Sequence, residues 1–263
     1  MQTQKQQPPS LSSRIGFLSN ALVLSAMIAM SVPLPCASAQ VAKAENDGVF
    51  RQTSNGVCFS IDTTLAPDLA DWSKNTLLPT VVKWYPQLVT VLPGYKPERI
   101  DIVFEADMGG IAASTWGTRI GCNALWMRNN RYEALGAIIH EVAHVVQAYH
   151  RPAANGEPIP SWVVEGIADY FRWYFYEPGR GNPRAASKRV PSGEYDAGYR
   201  VSAVFLRWLT DTYDKEIVRK LNDVCRNGSY GEGFWQTELG KTASELGAEW
   251  KVKKMDDATI GIR

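Results

Sequence analysis

The chain has 263 residues, of which 45% are hydrophobic, and it carries 28 Lys and Arg residues against 27 Asp and Glu residues. A folded chain of this size buries roughly three quarters of the surface that its unfolded form exposes, so a core forms without a disulfide framework or a structural metal. The balanced charge provides no basic stripe of the kind that binds nucleic acid through counterion release, so we expect no nucleic-acid partner. The function must therefore be sought in a local site.

Residues 1–39 differ in composition from the rest of the chain. Lys5 and Arg14 are their only charged residues, and a long apolar stretch follows Arg14. This pattern, closed by the small residues Ala37-Ser38-Ala39, is typical of a secretory signal peptide. It predicts cleavage near Gln40, a secreted product (extracellular or periplasmic) and no membrane segment after cleavage. An uncleaved anchor is the alternative, although the apolar core is shorter than the ~20 residues of a membrane span.

Strands are predicted in the first half of the remaining chain and helices in the second half. The pattern predicts, in chain order, a strand at 56–63, helices at 68–75 and 80–92, strands at 99–105 and 119–127, and helices at 132–149, 162–176, 195–213, 215–226 and 244–253. A stretch rich in Pro, Gly and Arg at 177–192 predicts a long exposed loop. The order predicts an α+β domain over residues 40–255, with a small mixed sheet and a mainly helical second half, and a tail at 256–263.

Three cysteines remain after the predicted cleavage, namely Cys58, Cys122 and Cys225. They permit at most one disulfide within a monomer, and the sequence does not choose among the three pairings or exclude three buried thiols. No Cys-x-x-Cys pattern occurs in the sequence. Metal clusters held by several thiolates and redox-active dithiol motifs are therefore not expected.

The main chemical signal is the motif His140-Glu141-Val142-Ala143-His144. On a helix, four residues advance by about 400°, so the two imidazoles project from one face and can bind a single metal ion. Glu141 then lies beside the metal, where its carboxylate can take a proton from a bound water. The flanking residues are apolar, and unpartnered histidines would be costly in so buried a helix. A core helix with two hydrogen-bonded histidines remains possible from this motif alone.

A catalytic zinc needs a third protein ligand and one open position. His150 lies ten residues after His140, which is the spacing of the HExxHxxGxxH pattern, but Gln147 stands where that pattern has its glycine. If the helix continues through Gln147, His150 lies about 9 Å beyond His144 and points away from it. His150 is therefore the weaker candidate for the third ligand.

Glu165 is the stronger candidate for the third ligand. It stands within Trp162-Val163-Val164-Glu165-Gly166-Ile167-Ala168-Asp169, where apolar neighbours leave its charge in need of a strong partner. Asp169 follows one helical turn later and can accept the second ring N–H of a ligand histidine. The alternative is that both carboxylates form ordinary helix salt bridges, for example with Arg172.

These residues also carry a family resemblance. The segment HEVAHVVQ, followed by PSWVVEGIADYFRW, resembles the peptidase family that includes the plant basic secretory proteins and their bacterial relatives, within the wider zincins. The resemblance extends from about residue 57 to residue 251 and includes residues 198–209, 218–223 and 233–251. It implies a zincin-like fold, one Zn²⁺ per chain bound by His140, His144 and Glu165, and Glu141 as the general base. The chain departs from the family's name because it is not basic.

The resulting prediction is a secreted, monomeric, zinc-dependent endopeptidase that acts on peptide or protein substrates. Tyr199 is the candidate donor to the oxyanion that forms during hydrolysis, and its alternative role is that of a core aromatic residue. An extended substrate is expected to pair with a free edge of the strand at 119–127. Such pairing requires that one edge of this strand be uncovered.

A second class of function follows from the nine tryptophans. An aromatic platform for glycan or cell wall would make the protein a secreted binding module with an idle metal site. The residues considered for this platform are Trp116, Trp126, Trp162, Trp173 and Trp235. The presence of Glu141 favours the enzyme, because a peptidase that loses its activity in evolution usually loses its general base first.

Overall fold

A five-stranded sheet followed by a mainly helical region forms the described part of the protein. The structure is a computed structural model that describes residues 48–151, 158–178 and 193–260. The predicted signal peptide and most of the predicted loop at 177–192 lie outside the described residues. The strands are β1 Val49–Ser54, β2 Val57–Asp62, β3 Arg99–Glu105, β4 Ala113–Trp116 and β5 Arg119–Asn123.

The helices of the described residues lie mainly after the sheet. A 3-10 turn at Pro67–Leu69 leads into the short helix α1, Ala70–Trp72, and a π-helical turn at Ser73–Leu77 connects α1 to α2, Leu78–Val91. The later helices are α3 Ala124–Asn129, α4 Arg131–Gln147, α5 Ser161–Phe171 with a π-helical turn at Arg172–Tyr176, α6 Tyr199–Thr212, α7 Ile217–Asn227, α8 Gly233–Leu239 and α9 Ala243–Ile260. The predicted α+β class, with a small sheet and a mainly helical second half, is confirmed.

The sheet is mixed, with the strand order β1-β2-β3-β5-β4. β3 is central and runs parallel to β2 and β5, whereas β1 and β4 are antiparallel to their neighbours. Asn55 and Gly56 both have positive φ angles, 52° and 72°, as the tight two-residue turn between β1 and β2 requires. The mixed sheet therefore consists of two hairpins joined through one parallel strand.

Two strands and two helices were absent from the sequence-based prediction, namely β1, β4, α3 and α8. β1 lies at an edge and is largely exposed, so it lacks a clear hydrophobic alternation. β4 has only four residues, Ala-Ser-Thr-Trp, and no strand was predicted there. The predicted strand at 119–127 is wrong beyond Asn123, whose side chain accepts a hydrogen bond from the backbone N–H of Trp126 and caps α3.

Close helix packing orders the second half of the chain. A Cβ atom added at Gly166 would lie 2.8 Å from the Cβ of Ser202, so the glycine allows α5 and α6 to approach each other.

Three of the five tryptophans considered for an aromatic platform, Trp162, Trp173 and Trp235, are buried. The predicted aromatic platform therefore does not exist as a surface, because three of its five members pack inside the protein.

The thiols of Cys122 and Cys225 are free and buried. None of the three disulfide pairings among Cys58, Cys122 and Cys225 therefore forms.

The last helix, α9, continues to Ile260 and so includes part of the predicted tail at 256–263. Within the described ranges, we find no helix whose length and hydropathy would allow it to cross a membrane.

Candidate active site

Helix α4 contains the whole His140–His144 motif. Its residues from Ile138 to Gln147 are buried, apart from a partly exposed His144, because the helix packs between the sheet and α5. The two imidazole rings are nearly perpendicular, with centroids 4.6 Å apart, and their Nε2 atoms lie 3.0 Å from each other. The two nitrogen donors thus face one point, as the four-residue spacing predicts.

Helix α5 brings Glu165 to the same point. Its Oε2 atom lies 3.1 Å from Nε2 of His140 and 3.4 Å from Nε2 of His144. Three ligands of a tetrahedral zinc, each bound at about 2.0–2.1 Å, lie about 3.3 Å from one another. The two nitrogens and the oxygen therefore fit a zinc ion in both chemistry and spacing.

Asp169 lies one helical turn after Glu165 and contacts the far side of His140. Its Oδ1 atom is 2.7 Å from Nδ1 of His140, and both side chains are buried. Arg172, the predicted alternative partner of the two carboxylates, instead donates hydrogen bonds to Glu133 and Glu177. Arg172 thus pairs with these two residues and not with Glu165 or Asp169.

Carboxylates control the charge of this cluster. Burial lowers the pKa of His140, but hydrogen bonds with Asp169 and Glu165 outweigh it and raise the pKa to about 10. For Glu165 the directions are reversed. Burial raises the pKa of this carboxyl group, but its contacts with His140 and His144 outweigh burial and lower the pKa to about 2. At neutral pH the metal-free cluster thus holds a proton on His140 between two carboxylates, and a metal ion bound at Nε2 of His140 would take the place of that proton.

Glu141 is buried where α4 meets β4. The hydroxyl of Thr115 lies 2.6 Å from Oε2 of Glu141 and 3.1 Å from its backbone carbonyl oxygen. Sequence reasoning missed Thr115 because no strand was predicted for its segment. If these four residues had been predicted as a strand, Thr115 would have been expected to lie near the motif helix.

Gln147 was considered only as the residue that replaces a glycine, yet it contacts the second histidine. Its Oε1 atom lies 2.6 Å from Nδ1 of His144, and its Nε2 atom donates to the backbone carbonyl of Val164 at 2.8 Å. The available signal was its position, three residues after His144 on the same face of an otherwise apolar helix.

Tyr199 begins α6 beside the histidines. Its ring lies 6.0 Å from the ring of His140 and nearly parallel to it, and the residue is 59% exposed. The core-aromatic alternative is therefore wrong. The backbone of Tyr199 has a φ of 46°, which is uncommon for a residue other than glycine. The charge of Glu165, followed by burial and Glu141, raises the pKa of Tyr199, so the phenol stays protonated at neutral pH.

His150 lies at the rim of the site and is exposed. Helix α4 ends at Gln147 because Ala148 takes a left-handed conformation, with φ 49°. Among the described residues, the compact group of potential metal donors consists of His140, Glu141 and His144. Glu165, and not His150, completes the set of donors that contact both histidines.

The site opens into a cleft of about 800 Å³. One side, which we call the sheet wall, consists of residues 112–115 with Gly117. The opposite side, which we call the helix wall, consists of Val164, Glu165, Asp169 and Tyr199. The histidines and Glu141 of α4 lie between the two walls.

The predicted substrate strand is covered on both edges, because β5 pairs with β3 on one side and with β4 on the other. The expectation of a free edge at 119–127 is therefore wrong. The physical reason is β4, a strand that was not predicted from the sequence. In the part of the chain that the structure describes, β4 itself forms the edge of the sheet on the cleft side.

Comparison with known proteins places these features in a family. Residues 92–250 match the family BSP, described as peptidase of plants and bacteria. No curated protein matches the chain.

Among solved structures, the chain is similar to two determinations of ZmpB from Clostridium perfringens. One contains the M60 catalytic domain with the CBM51-1 and CBM51-2 domains, at 11% identity and a TM-score of 0.42. The other contains the CBM32-1, CBM32-2 and M60 catalytic domains, at 15% identity and a TM-score of 0.38. Each similarity covers 72% of this chain and 22% of the other, so this chain spans about a fifth of their length.

The family match includes the motif helix, the candidate third ligand and the start of α6. The resemblance found in the sequence and the α+β fold, with its small mixed sheet, are confirmed. Because the match extends over more than half of the residues, this chain belongs to the BSP family, the peptidases of plants and bacteria.

Proposed function

We propose that this member of the peptidase family is a secreted, monomeric, zinc-dependent enzyme in which Glu141 is the general base. One observation carries the proposal, which is the convergence of three donor atoms, from His140, His144 and Glu165, to mutual distances of 3.0–3.4 Å. The carboxylate of Glu141 forms a compact group of potential metal donors with the same two histidines. Two nitrogen donors and one carboxylate leave a position open, as a catalytic rather than a structural zinc site requires.

His140 and His144 would bind zinc through their Nε2 atoms, and Glu165 through Oε2, with one ion per chain. Imidazole and carboxylate donors suit this metal. When bound, zinc supplies a Lewis acid that activates water and polarises the carbonyl of the scissile bond. Asp169 accepts the Nδ1–H of His140 and keeps that ring turned toward the ion.

Glu141 moves the proton in this proposal. Thr115 donates to Oε2 of Glu141 and thereby holds the carboxylate in one orientation. Oε1 of Glu141 then accepts the proton of the attacking water and later transfers it to the nitrogen of the departing amine. Tyr199, protonated at neutral pH, donates its O–H to the oxyanion that develops at the carbonyl.

The substrate would be a peptide or protein segment that lies extended along β4. The backbone N–H of Asn123 donates to the carbonyl of Ala112, and hydrogen-bonded pairs alternate along an antiparallel ladder. In this register Ser114 bonds to β5, whereas the N–H and C=O groups of Ala113 and Thr115 point away from β5. These outward groups can pair with the backbone of an extended peptide.

Secretion is proposed from the sequence pattern of residues 1–39. The test is the N-terminal sequence of the protein recovered from the exported fraction of cells that express the full chain. We expect a start near Gln40. A protein that retains residue 1 in the membrane fraction would contradict secretion without bearing on the peptidase site. Light scattering of the same sample tests for the expected monomer.

The zinc site is tested by elemental analysis of exported protein that has been purified without a metal-affinity column. We expect about one zinc per chain, since the donor set describes a single site. In Glu141→Gln the zinc content should remain while peptide hydrolysis falls by about 10²–10⁴-fold, as for loss of a general base. Protein that holds no zinc even after zinc is supplied would refute the metal, and peptide cleavage retained by Glu141→Gln would refute the base.

A further inference from the structure

We propose that Gln147 is a positioning residue, which sets the tautomer and the ring orientation of His144 so that its Nε2 atom faces the metal. This inference rests on the proposed function, because it concerns the same zinc site. It assigns to an uncharged side chain of α4 the role that the carboxylate of Asp169 has for His140.

The first step of the argument is the contact itself. Gln147 is the last residue of α4 and lies three residues after His144, so both side chains share one face of the helix. Gln147 is only 1% exposed. Its Oε1 atom lies 2.6 Å from Nδ1 of His144, which is the distance of a short hydrogen bond.

The second step is the orientation of the amide group. The Nε2 atom of Gln147 lies 2.8 Å from the backbone carbonyl oxygen of Val164, and a carbonyl oxygen only accepts. The amide nitrogen must therefore face Val164, and the amide oxygen must face His144. An amide oxygen likewise only accepts, so Nδ1 of His144 carries the proton and Nε2 keeps its lone pair for the metal.

The third step is the attachment of Gln147 to the rest of the site. Val164 precedes Glu165 in α5, so one amide connects the helix of the histidines with the helix of the third ligand. Arg226 donates to the backbone carbonyls of Val146 and Gln147, each at 3.1 Å. The last turn of α4 is thus held from outside, and the position of the amide does not depend on the metal.

The test compares zinc affinity, by competition with a chelator, in three exported proteins that are each expressed from the full chain. They are the wild type, Gln147→Leu and the control Gln236→Leu, which makes the same exchange at an exposed glutamine of α8. We expect Gln147→Leu to bind zinc about 10–100-fold more weakly, as for other partners of ligand histidines, and Gln236→Leu to match the wild type. Equal zinc affinity in all three proteins would overturn the proposed role of Gln147 and would leave the proposed zinc site unaffected.

A second readout distinguishes positioning from general loosening of the fold. In nitrogen-resolved NMR spectra of the zinc-loaded wild type, the Nδ1–H protons of His140 and His144 should both exchange slowly with water. In Gln147→Leu, exchange should become fast at His144 and stay slow at His140, which retains its hydrogen bond to Asp169. Unchanged exchange at His144, or equally fast exchange at both rings, would contradict a specific contact.

Gln147→Glu keeps the proposal testable if the leucine variant does not fold. It retains the size of the side chain and an accepting oxygen, so its zinc affinity should stay within about tenfold of the wild type, the lower limit for loss of such a partner. A greater loss would contradict the accepting role. A wild-type protein without zinc would overturn the proposed function and this inference together, whereas normal zinc binding by Gln147→Leu overturns only the inference.

Discussion

The two walls of the cleft differ in chemistry. The helix wall carries two carboxylates, Glu165 and Asp169, which contact the histidines at 2.7–3.4 Å. The sheet wall carries small and uncharged side chains, and its polar contact with the motif is the hydroxyl of Thr115 on Glu141. The difference indicates a division of tasks, in which the helix wall would hold the metal and the sheet wall would align the base and the substrate. Changes on the two walls should therefore affect different measurements.

The largest effect is expected on the helix wall, in Glu165→Ala. Partners of ligand histidines already contribute about 10–100-fold to metal affinity, so loss of a ligand should weaken zinc binding by more than about 100-fold. Hydrolysis should fall with the zinc content. His150→Ala is the control, because this exposed residue does not contact the donor cluster. The opposite ranking of the two variants in a chelator competition would make His150 the third ligand.

The second effect is a pH dependence of zinc binding. The carboxylates of Asp169 and Glu165 raise the pKa of His140 to about 10 against the effect of burial, so this imidazole is protonated at neutral pH in the metal-free protein. Binding at Nε2 must displace that proton, so apparent affinity should rise with pH, by up to about tenfold per unit for one proton released. Titration calorimetry in buffers of different ionisation enthalpy counts the protons.

Asp169→Asn sharpens this measurement. It removes the hydrogen bond that raises the pKa of His140 most, so fewer protons should leave on zinc binding near neutral pH and the slope should become shallower. An unchanged slope in Asp169→Asn would show that another group releases the proton.

A smaller effect is expected on the sheet wall, in Thr115→Val. The exchange keeps the shape of the side chain and removes the donor to Glu141. Hydrogen bonds to charged groups contribute about 1.5–3 kcal/mol, so kcat should fall by at least about tenfold. The zinc content should stay unchanged, and Thr90→Val, the same exchange at an exposed position of α2 outside the cleft, should retain full activity. Loss of zinc from Thr115→Val would contradict the division between the walls.

The smallest effect concerns the edge of β4. Ala113→Pro removes an N–H that points away from β5, and an edge strand tolerates proline at such a position. One lost hydrogen bond to the substrate, about 1 kcal/mol, corresponds to an increase in KM of about fivefold. Ser114→Pro should instead destabilise the sheet, because the N–H of Ser114 belongs to the ladder. An unchanged KM in Ala113→Pro would place the substrate elsewhere in the cleft.

The site residues differ in how far local pattern could identify them. His140 and His144 share a helix, so their common face follows from the residues between them and from helix geometry alone. Glu165 and Asp169 repeat this logic on a second helix, but the contact between the helices required the tertiary structure. Thr115 reaches Glu141 from a strand that the sequence did not reveal, since four residues provide too short an alternation.

The sequence by itself determined the family, the α+β order of elements and the helical spacing of the metal motif. These features depend on local periodicity and on residue identity, both of which can be read directly from the amino-acid sequence. Only the tertiary structure decided that β4 and not β5 is the free edge, that the tryptophans of the supposed platform are mostly buried, and that Gln147 contacts His144 and Val164. These outcomes depend on which distant segments of the chain pair and pack with each other. The relative free energies of the alternative pairings cannot be read from a local sequence pattern, because they involve residues far apart in the chain.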